Sequence, residues 1–357
     1  MDDILSKAAE KPRALDRSDL QRLLKWPDAG ELFAAAYEVK ARETGRRVAL
    51  RGLVECGNIC AKNCFYCGIR RDNQNVRRYR LDSAEIVRLA EESMRSGYGN
   101  VVLQSGEMQS EENTAFFEET VGKIREVCGK DFGITLSLGE QTEETYHRWR
   151  EAGAHRYLLR IETSNPCLYA SLHPQGHSWH CRRECLHLLK ATGYQVGSGT
   201  MCGLPGQTAG DMADDIAFFA EEDLDMIGMG PYIPHSETPL GKDAALTPLT
   251  AKERLELGLR MIAVTRLHLH DVNIAASTAL QALAPDGRER GLLAGANVIM
   301  PNVTGVEHRP DYLLYDGKPV GEENSAASRD ALVRSISALG ETAAWNERGD
   351  SPHWRRR

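Results

Sequence analysis

No stretch of the 357 residues stays apolar long enough to span a bilayer, so no membrane partner is expected. The opening MDDILSKAAEKPRALDRSD carries acids where a secretory leader has an unbroken apolar core, and the expected location is cytoplasmic. A basic surplus is missing too: 44 Lys and Arg stand against 51 Asp and Glu, a formal charge of -7. Nucleic-acid binding draws on a basic surface that displaces counterions from phosphates, so no nucleic-acid partner is expected. Cysteine is too sparse for a disulfide scaffold, nine residues in all and an odd number. Repeats and low-complexity tracts are absent. What is present, 41% hydrophobic and 27% charged residues, is the composition of an ordinary folded protein.

The first 45 residues read as helical. Ser18 and Gln21 form a capping-box pattern ahead of Leu23, Leu24, Leu32, Phe33, Ala36 and Tyr37, and Pro27 divides two helices. After Gly45, short apolar runs alternate with longer amphipathic stretches, the pattern of parallel strands with crossover helices. Eight strands are expected, near Val48–Val54, Val101–Gln104, Ile134–Leu138, Tyr157–Ile161, Gln195–Thr200, Met226–Met229, Val272–Ala276 and Val298–Met300. Between them, Ser83–Ser96, Thr142–Ala152, Arg182–Thr192, Thr208–Glu222 and Thr250–Leu267 are long enough for right-handed crossovers. Eight strands point to an α/β fold of the (β/α)8 TIM-barrel type; a doubly wound open sheet is the alternative, because strand order is not written in one sequence. The expected division is an N-terminal helical segment (1–45), a barrel (46–315) and a C-terminal helical or irregular tail (316–357). In that tail one helix covers Ser328–Leu339, and Asp350–Arg357 is expected to fray.

A barrel of this kind gathers chemistry at the carboxyl ends of its strands. Four of those ends are polar: Gln104-Ser105-Gly106-Glu107, Ser137-Leu138-Gly139-Glu140, Arg160-Ile161-Glu162-Thr163 and Ala276-Ser277-Thr278. Just after the first strand comes Cys60-Ala-Lys-Asn-Cys64-Phe-Tyr-Cys67, the densest part of a group of cysteines that begins at Cys56. Cys128, Cys167, Cys181, Cys185 and Cys202 are scattered and read as ordinary thiols. Thiolates so close in sequence lie on a loop that wraps a metal, either zinc or an iron-sulfur cluster. A structural zinc site wants four closed ligands, usually two pairs, and no second Cys-x2-Cys pair exists, although Cys56 is a conceivable fourth ligand. Three cysteines leave one iron of a cubane without a protein thiolate.

Cys-x3-Cys-x2-Cys with Tyr66 before the third cysteine resembles the signature of the radical S-adenosylmethionine (SAM) superfamily. The ordered segments Gly68–Asn75, Val102–Glu107, Thr135–Glu140, Arg156–Thr163, Gly203–Thr208, Gly230–His235 and Ala296–Asn302 resemble, within it, the HydE-type [FeFe]-hydrogenase maturases. The resemblance implies one 4Fe-4S cluster on Cys60, Cys64 and Cys67, whose open iron chelates SAM. Reductive cleavage of SAM to a 5'-deoxyadenosyl radical is the implied chemistry. It also implies cofactor contacts from Glu162 and Arg182, with Tyr66, Gln104, Ser105, Ser137 and Met201 completing the wall. Arg160, Ser277, Thr278, Met300, Tyr312 and Tyr315 would line the substrate cavity; a buried Arg160 requires an anionic ligand or an internal carboxylate. The implied substrate is a small cysteine-bound Fe(CO)2(CN) complex, the implied task H-cluster assembly, and the implied partners are other maturases and an electron donor. Some relatives carry a second cluster on C-terminal cysteines, but this chain has none after Cys202, so a single cluster is expected. Three alternatives stand beside this reading: an amino-acid mutase like methylornithine synthase, a biotin-synthase-like enzyme, and a noncatalytic iron-sulfur scaffold or carrier.

Overall fold

A computed structural model describes residues 3–246, 248–323 and 325–357. Three helices come first: α1 (Asp3–Glu10), α2 (Arg17–Leu24) and α3 (Ala29–Glu43). The cap of α2 is Asp16, whose carboxylate accepts from the Asp19 backbone N–H. Ser18 therefore lies inside the helix, and the capping box expected at Ser18 and Gln21 does not form. Two cap-competent residues stand two positions apart, and the extended backbone of Asp16 decides between them. Asp28 caps α3 directly after Pro27, so that proline does separate two helices.

The strands are β1 (Arg47–Leu50), β2 (Gly52–Gly57), β3 (Asn100–Ser105), β4 (Gly133–Ser137), β5 (Arg156–Leu158), β6 (Gln195–Ser198), β7 (Met201–Cys202), β8 (Met226–Ile227), β9 (Gly230–Pro231), β10 (Asn273–Ile274), β11 (Val298–Ile299) and β12 (Thr342–Ala344). Seven form one parallel sheet in the order β10-β8-β6-β5-β4-β3-β2. The sheet curls until its two edges meet the same segment. Ala275 bridges Val298 on one side, Leu53 bridges Asn302 on the other, and β11 also pairs with β1. Seven of the eight expected strands are present as single strands, the expected Val48–Val54 is split at Arg51 into β1 and β2 with different partners, and this closure selects the barrel over the open sheet. The short pair β7·β9 extends β6 and β8 at the carboxyl end.

Crossovers are made by α4 (Ser83–Arg95), α5 (Glu111–Cys128), α6 (Glu143–Ala152), α7 (Pro166–Leu172), α8 (Trp179–Ala191), α9 (Ala209–Glu221), α10 (Ala251–Leu269), α11 (Thr278–Leu283) and α12 (Gly287–Leu293). Asp82, Ser110, Thr142, Ser178, Thr208 and Thr250 each accept a bond from the backbone N–H three residues on, fixing where α4, α5, α6, α8, α9 and α10 begin.

After α13 (Ala326–Ala338), β12 pairs with β1, and the chain closes the amino end of the barrel. There the Arg348 carbonyl accepts from fully buried Arg156 at 3.0 Å, and the Gly349 carbonyl accepts from Arg51 at 3.1 Å and Asn273 at 2.9 Å. The last helix, α14 (Pro352–Arg355), is docked rather than frayed. His353 lies 2.9 Å from Asp223 and 3.2 Å from Asp271, and Arg357 pairs with Asp223. The expected fraying fails because these carboxylates, distant in sequence, meet the terminal cations. A cavity of about 760 Å³ also lies at this end, lined by Arg47, Asn273, Asn297, Arg348 and Asp350. It touches none of the expected site residues.

Candidate functional site

The cysteine loop leaves β2 and is tied down by backbone bonds to several elements. Phe65 N donates to Leu172 O (2.9 Å), Gly68 N to Leu314 O (3.0 Å) and Ala61 N to Glu107 O (2.8 Å). Arg78 gathers the loop from behind, donating to the carbonyls of Asn58 (2.7 Å), Ile69 (2.8 Å), Arg70 (2.6 Å) and Asn73 (3.0 Å). Gly106 permits the approach of β3: a Cβ there would lie 2.8 Å from Cys60 Cβ and closer still to the Ile59 carbonyl. The next N–H, of Glu107, points 3.3 Å at Cys60 Sγ, a bond that favours the thiolate.

Burial pushes all three thiols upward, Cys64 to about 12, and each of Cys64 and Cys67 is raised further by neighbouring cysteines of the loop. A bound metal reverses that preference by coordinating the thiolate. Among the described residues, the trio whose ligand atoms all lie within 4.8 Å of one another is Cys64, His173 and His177, not the three loop cysteines. Sulfurs around one zinc sit about 2.3 Å from the ion, hence within about 4 Å of each other. At least one pair of the three loop thiols is therefore farther apart than a single zinc would hold them. Cys56 is buried within β2, where its thiol is bonded to the Val54 carbonyl at 3.6 Å.

Above the loop lies a four-member charge cluster. Lys62 reaches Glu140 at 2.8 Å and Glu107 at 3.2 Å, while Arg182 reaches Glu140 at 2.9 Å and Glu107 at 3.5 Å. Burial raises Glu107 above the usual carboxylate range despite Arg182; burial opposes ionisation of Glu140 too, but Arg182 and Lys62 hold it low. The two carboxylates thus differ in proton affinity. Arg182 also donates to Tyr169 Oη and to the Arg160 carbonyl, both at 3.3 Å. Glu107, Glu140, Lys62, Tyr169 and Arg78 were not among the expected site residues. Glu107 and Glu140 end the polar strand-end segments and Lys62 sits inside the cysteine motif, so a signal existed.

Next to this cluster Arg160 pairs with Glu162 at 3.0 Å; its side chain is 34% exposed rather than buried, because it opens into the mouth of the barrel, and only its Nε is sealed from solvent. Glu162 holds a left-handed backbone, φ +68, a conformation costly for a non-glycine residue and concentrated at functional sites. Arg160 Nε, Thr200 Oγ1 and Ser277 Oγ are buried without a hydrogen-bond partner. Ser277 precedes α11 but caps nothing, and Thr278 is the first residue of that helix. Such orphaned donors and acceptors are what a polar ligand would satisfy. Gln104 is in register with Glu55 on β2 and with Ser137 on β4; Ser105 turns its hydroxyl to the Gly106 carbonyl at 2.7 Å. Met201 joins Leu172, Leu204 and Tyr232 in a small apolar cluster against Tyr66. Met300 lines a cavity of about 30 Å³ inside the barrel with Arg51, Thr135 and Met226. Tyr312 is 1% exposed on the other flank, under the Lys318 ammonium, which pairs with Glu55 at 2.5 Å. Burial raises Tyr315 above the usual phenol range as well.

A parallel barrel with a triple-thiol loop after its first strand and polar, partly unsatisfied strand ends is the architecture of a radical SAM enzyme. The sequence pattern of the Radical SAM superfamily matches residues 54–219, and the chain belongs to that superfamily, whose members use a 4Fe-4S cluster and SAM. More particularly, it is 42% identical over 332 residues to the [FeFe] hydrogenase maturase subunit HydE of Thermotoga maritima (strain ATCC 43589 / DSM 3109 / JCM 10099 / NBRC 100826 / MSB8), covering 92% of each chain. Similarity to biotin synthase of Parafrankia sp. (strain EAN1pec) is lower, 28% over 84% of this chain and 82% of that one. The crystal structure of methylornithine synthase (PylB) superposes with a TM-score of 0.78 at 26% identity, covering 96% of this chain and 98% of that one. No helix among the described residues is long and apolar enough to cross a membrane.

Proposed function

We propose that this chain acts in [FeFe]-hydrogenase H-cluster assembly, on a small cysteine-bound Fe(CO)2(CN) complex. The observation that carries the reading is the 42% identity to a HydE maturase, spread over nearly the whole of both chains. In this reading Cys60, Cys64 and Cys67 hold the single 4Fe-4S cluster. That group supplies the electron that cleaves SAM to methionine and a 5'-deoxyadenosyl radical.

The protein's own residues bind and orient. Glu162 offers carboxylate oxygens to ribose hydroxyls or an amino group, while Tyr66, Gln104, Ser105, Ser137 and Met201 shape the cofactor's wall. Arg182 is engaged by Glu140, Glu107, Tyr169 and the Arg160 carbonyl, so it fixes the charge cluster beside the loop and meets a cofactor carboxylate only by exchanging a partner. Arg160 has a free Nε and, with Ser277 and Thr278, addresses an anionic substrate; Met300, Tyr312 and Tyr315 exclude water from it. Other maturases and an electron donor are the partners this role requires.

The test is anaerobic incubation of the cluster-loaded chain with SAM, reductant and a synthetic cysteine-bound Fe(CO)2(CN) complex. The expected result is cleavage of the cysteine carbon-sulfur bond and 5'-deoxyadenosine formation that depends on the complex. Deletion of the gene from a host with an iron-iron hydrogenase is expected to abolish hydrogenase activity. Unchanged hydrogenase activity, or indifference to the complex, contradicts the assignment.

A further inference from the structure

Where the cysteine loop meets the turn after α7, Cys64 faces two imidazoles. One ligand atom from each of Cys64, His173 and His177 lies within 4.8 Å of the other two. His173 is 3% exposed, and its Nδ1 is 2.7 Å from the Tyr169 carbonyl. A carbonyl only accepts, so Nδ1 carries the proton and Nε2 presents a lone pair. That Nε2 is buried without a hydrogen-bond partner, and so is His177 Nδ1. A carbonyl behind the ring is the device that orients metal-ligating histidines. Tyr169 stacks on His173 with centroids 3.9 Å apart, and Tyr66 meets it edge-on at 5.5 Å, so the ring is held in place. Unpaired buried nitrogens on rings that crowd a thiol ask for a ligand of their own.

We propose that Cys64, His173 and His177 form a mononuclear site for a divalent ion of the zinc class while the loop carries no cluster. One thiolate and two imidazoles, with water in the fourth position, are a donor set that zinc accepts. Coordination releases the Cys64 thiol proton to solvent. Because Cys64 cannot serve this ion and an iron-sulfur cluster together, the ion holds the loop in a cluster-free state and must leave before the cluster is inserted. The exclusion rests on Cys64 being a cluster ligand; the binding does not.

The experiment titrates the metal-free, full-length chain with cobalt(II) and then zinc(II) under anaerobic conditions. The expected result is one cobalt per chain, with the strong d–d absorption of a tetrahedral ion and a thiolate-to-cobalt charge-transfer band, both erased by zinc. His177→Ala and His177→Asn are expected to lower the affinity at least ~10-fold, the scale of losing even a supporting residue, with an unchanged circular dichroism spectrum. Cys67→Ser is expected to bind like the parent. Absent stoichiometric binding, a spectrum indifferent to His177, or loss of binding in Cys67→Ser overturns the site. Zinc-loaded parent protein is expected to take up iron and sulfide slowly until a chelator is added. Normal uptake alongside the cobalt result overturns the exclusion and leaves the binding site standing.

Discussion

Arg182→Met tests the charge cluster beside the cysteine loop. Arg182 is 8% exposed and contacts Glu140 at 2.9 Å and Glu107 at 3.5 Å. Removing one partner of a buried pair costs roughly 3–5 kcal/mol, because the other charge is left uncompensated. Here Lys62 remains, 2.8 Å from Glu140 and 3.2 Å from Glu107, which places the loss near the lower end, about 3 kcal/mol. That is roughly a 150-fold change in the unfolding equilibrium, at 1.36 kcal/mol per decade. The sign with pH follows from Glu107. Burial already raises its affinity for a proton, and loss of Arg182 raises it further. A carboxyl whose folded value lies above its unfolded value stabilises in the protonated form and loses that contribution as pH rises. The loss is therefore expected to be full at pH 7 and smaller in acid. The assay is urea unfolding of the cluster-free chain at several pH values, with Glu140→Gln as the partner in a double-mutant cycle. A loss under about 0.5 kcal/mol at pH 7, the range of exposed pairs, or full additivity with Glu140→Gln, refutes the argument.

Other outcomes follow from the same structure. Gly106→Ala places a Cβ 2.8 Å from Cys60 Cβ, so the loop must shift; the chain is expected to fold, by circular dichroism, yet to incorporate far less iron than the parent. Ser277→Ala removes a buried hydroxyl that has no partner, so thermal unfolding is expected at an equal or higher temperature, while affinity for the iron complex falls. His155 accepts the Ile134 N–H at Nδ1 (3.3 Å) and meets Asp350 at Nε2 (3.3 Å), and burial lowers its pKa to about 3. The unfolded chain therefore takes up this proton below pH 6.5 and the folded one does not, so stability falls with acidification. Relative to His155→Gln, the parent is expected to lose up to about 1.4 kcal/mol per pH unit between pH 6.5 and 4.5; a pH-independent difference would show that this histidine titrates freely in the fold.

The barrel strands were legible because a strand buried on both faces reads as a short apolar run, and Val101–Leu103 is such a run. Closure was not, because the bridges Ala275 to Val298 and Leu53 to Asn302 leave no mark in composition. Helix α5 blurs its own period by burying Asn113, Thr114 and Thr120 on its inner face, and β7 and β9 are two residues each. The candidate site divides the same way. Cys60, Cys64 and Cys67 announce themselves by spacing, whereas the ion pairs of Lys62 with Glu140, 78 residues apart, and of Arg357 with Asp223, 134 apart, exist only once the barrel is closed. His173 and His177 are unremarkable in sequence; the Tyr169 carbonyl and the bend of the cysteine loop make them notable.

In the proposed function, three loop thiolates hold a cubane with one iron open to SAM. Anaerobic reconstitution followed by iron analysis and quantitation of 5'-deoxyadenosine, in the parent and in Cys64→Ser, tests it most directly. About four irons per chain and reductant-dependent 5'-deoxyadenosine are expected from the parent, with both lost in Cys64→Ser. An iron-loaded parent that leaves SAM intact, or a Cys64→Ser chain that still cleaves it, contradicts the account.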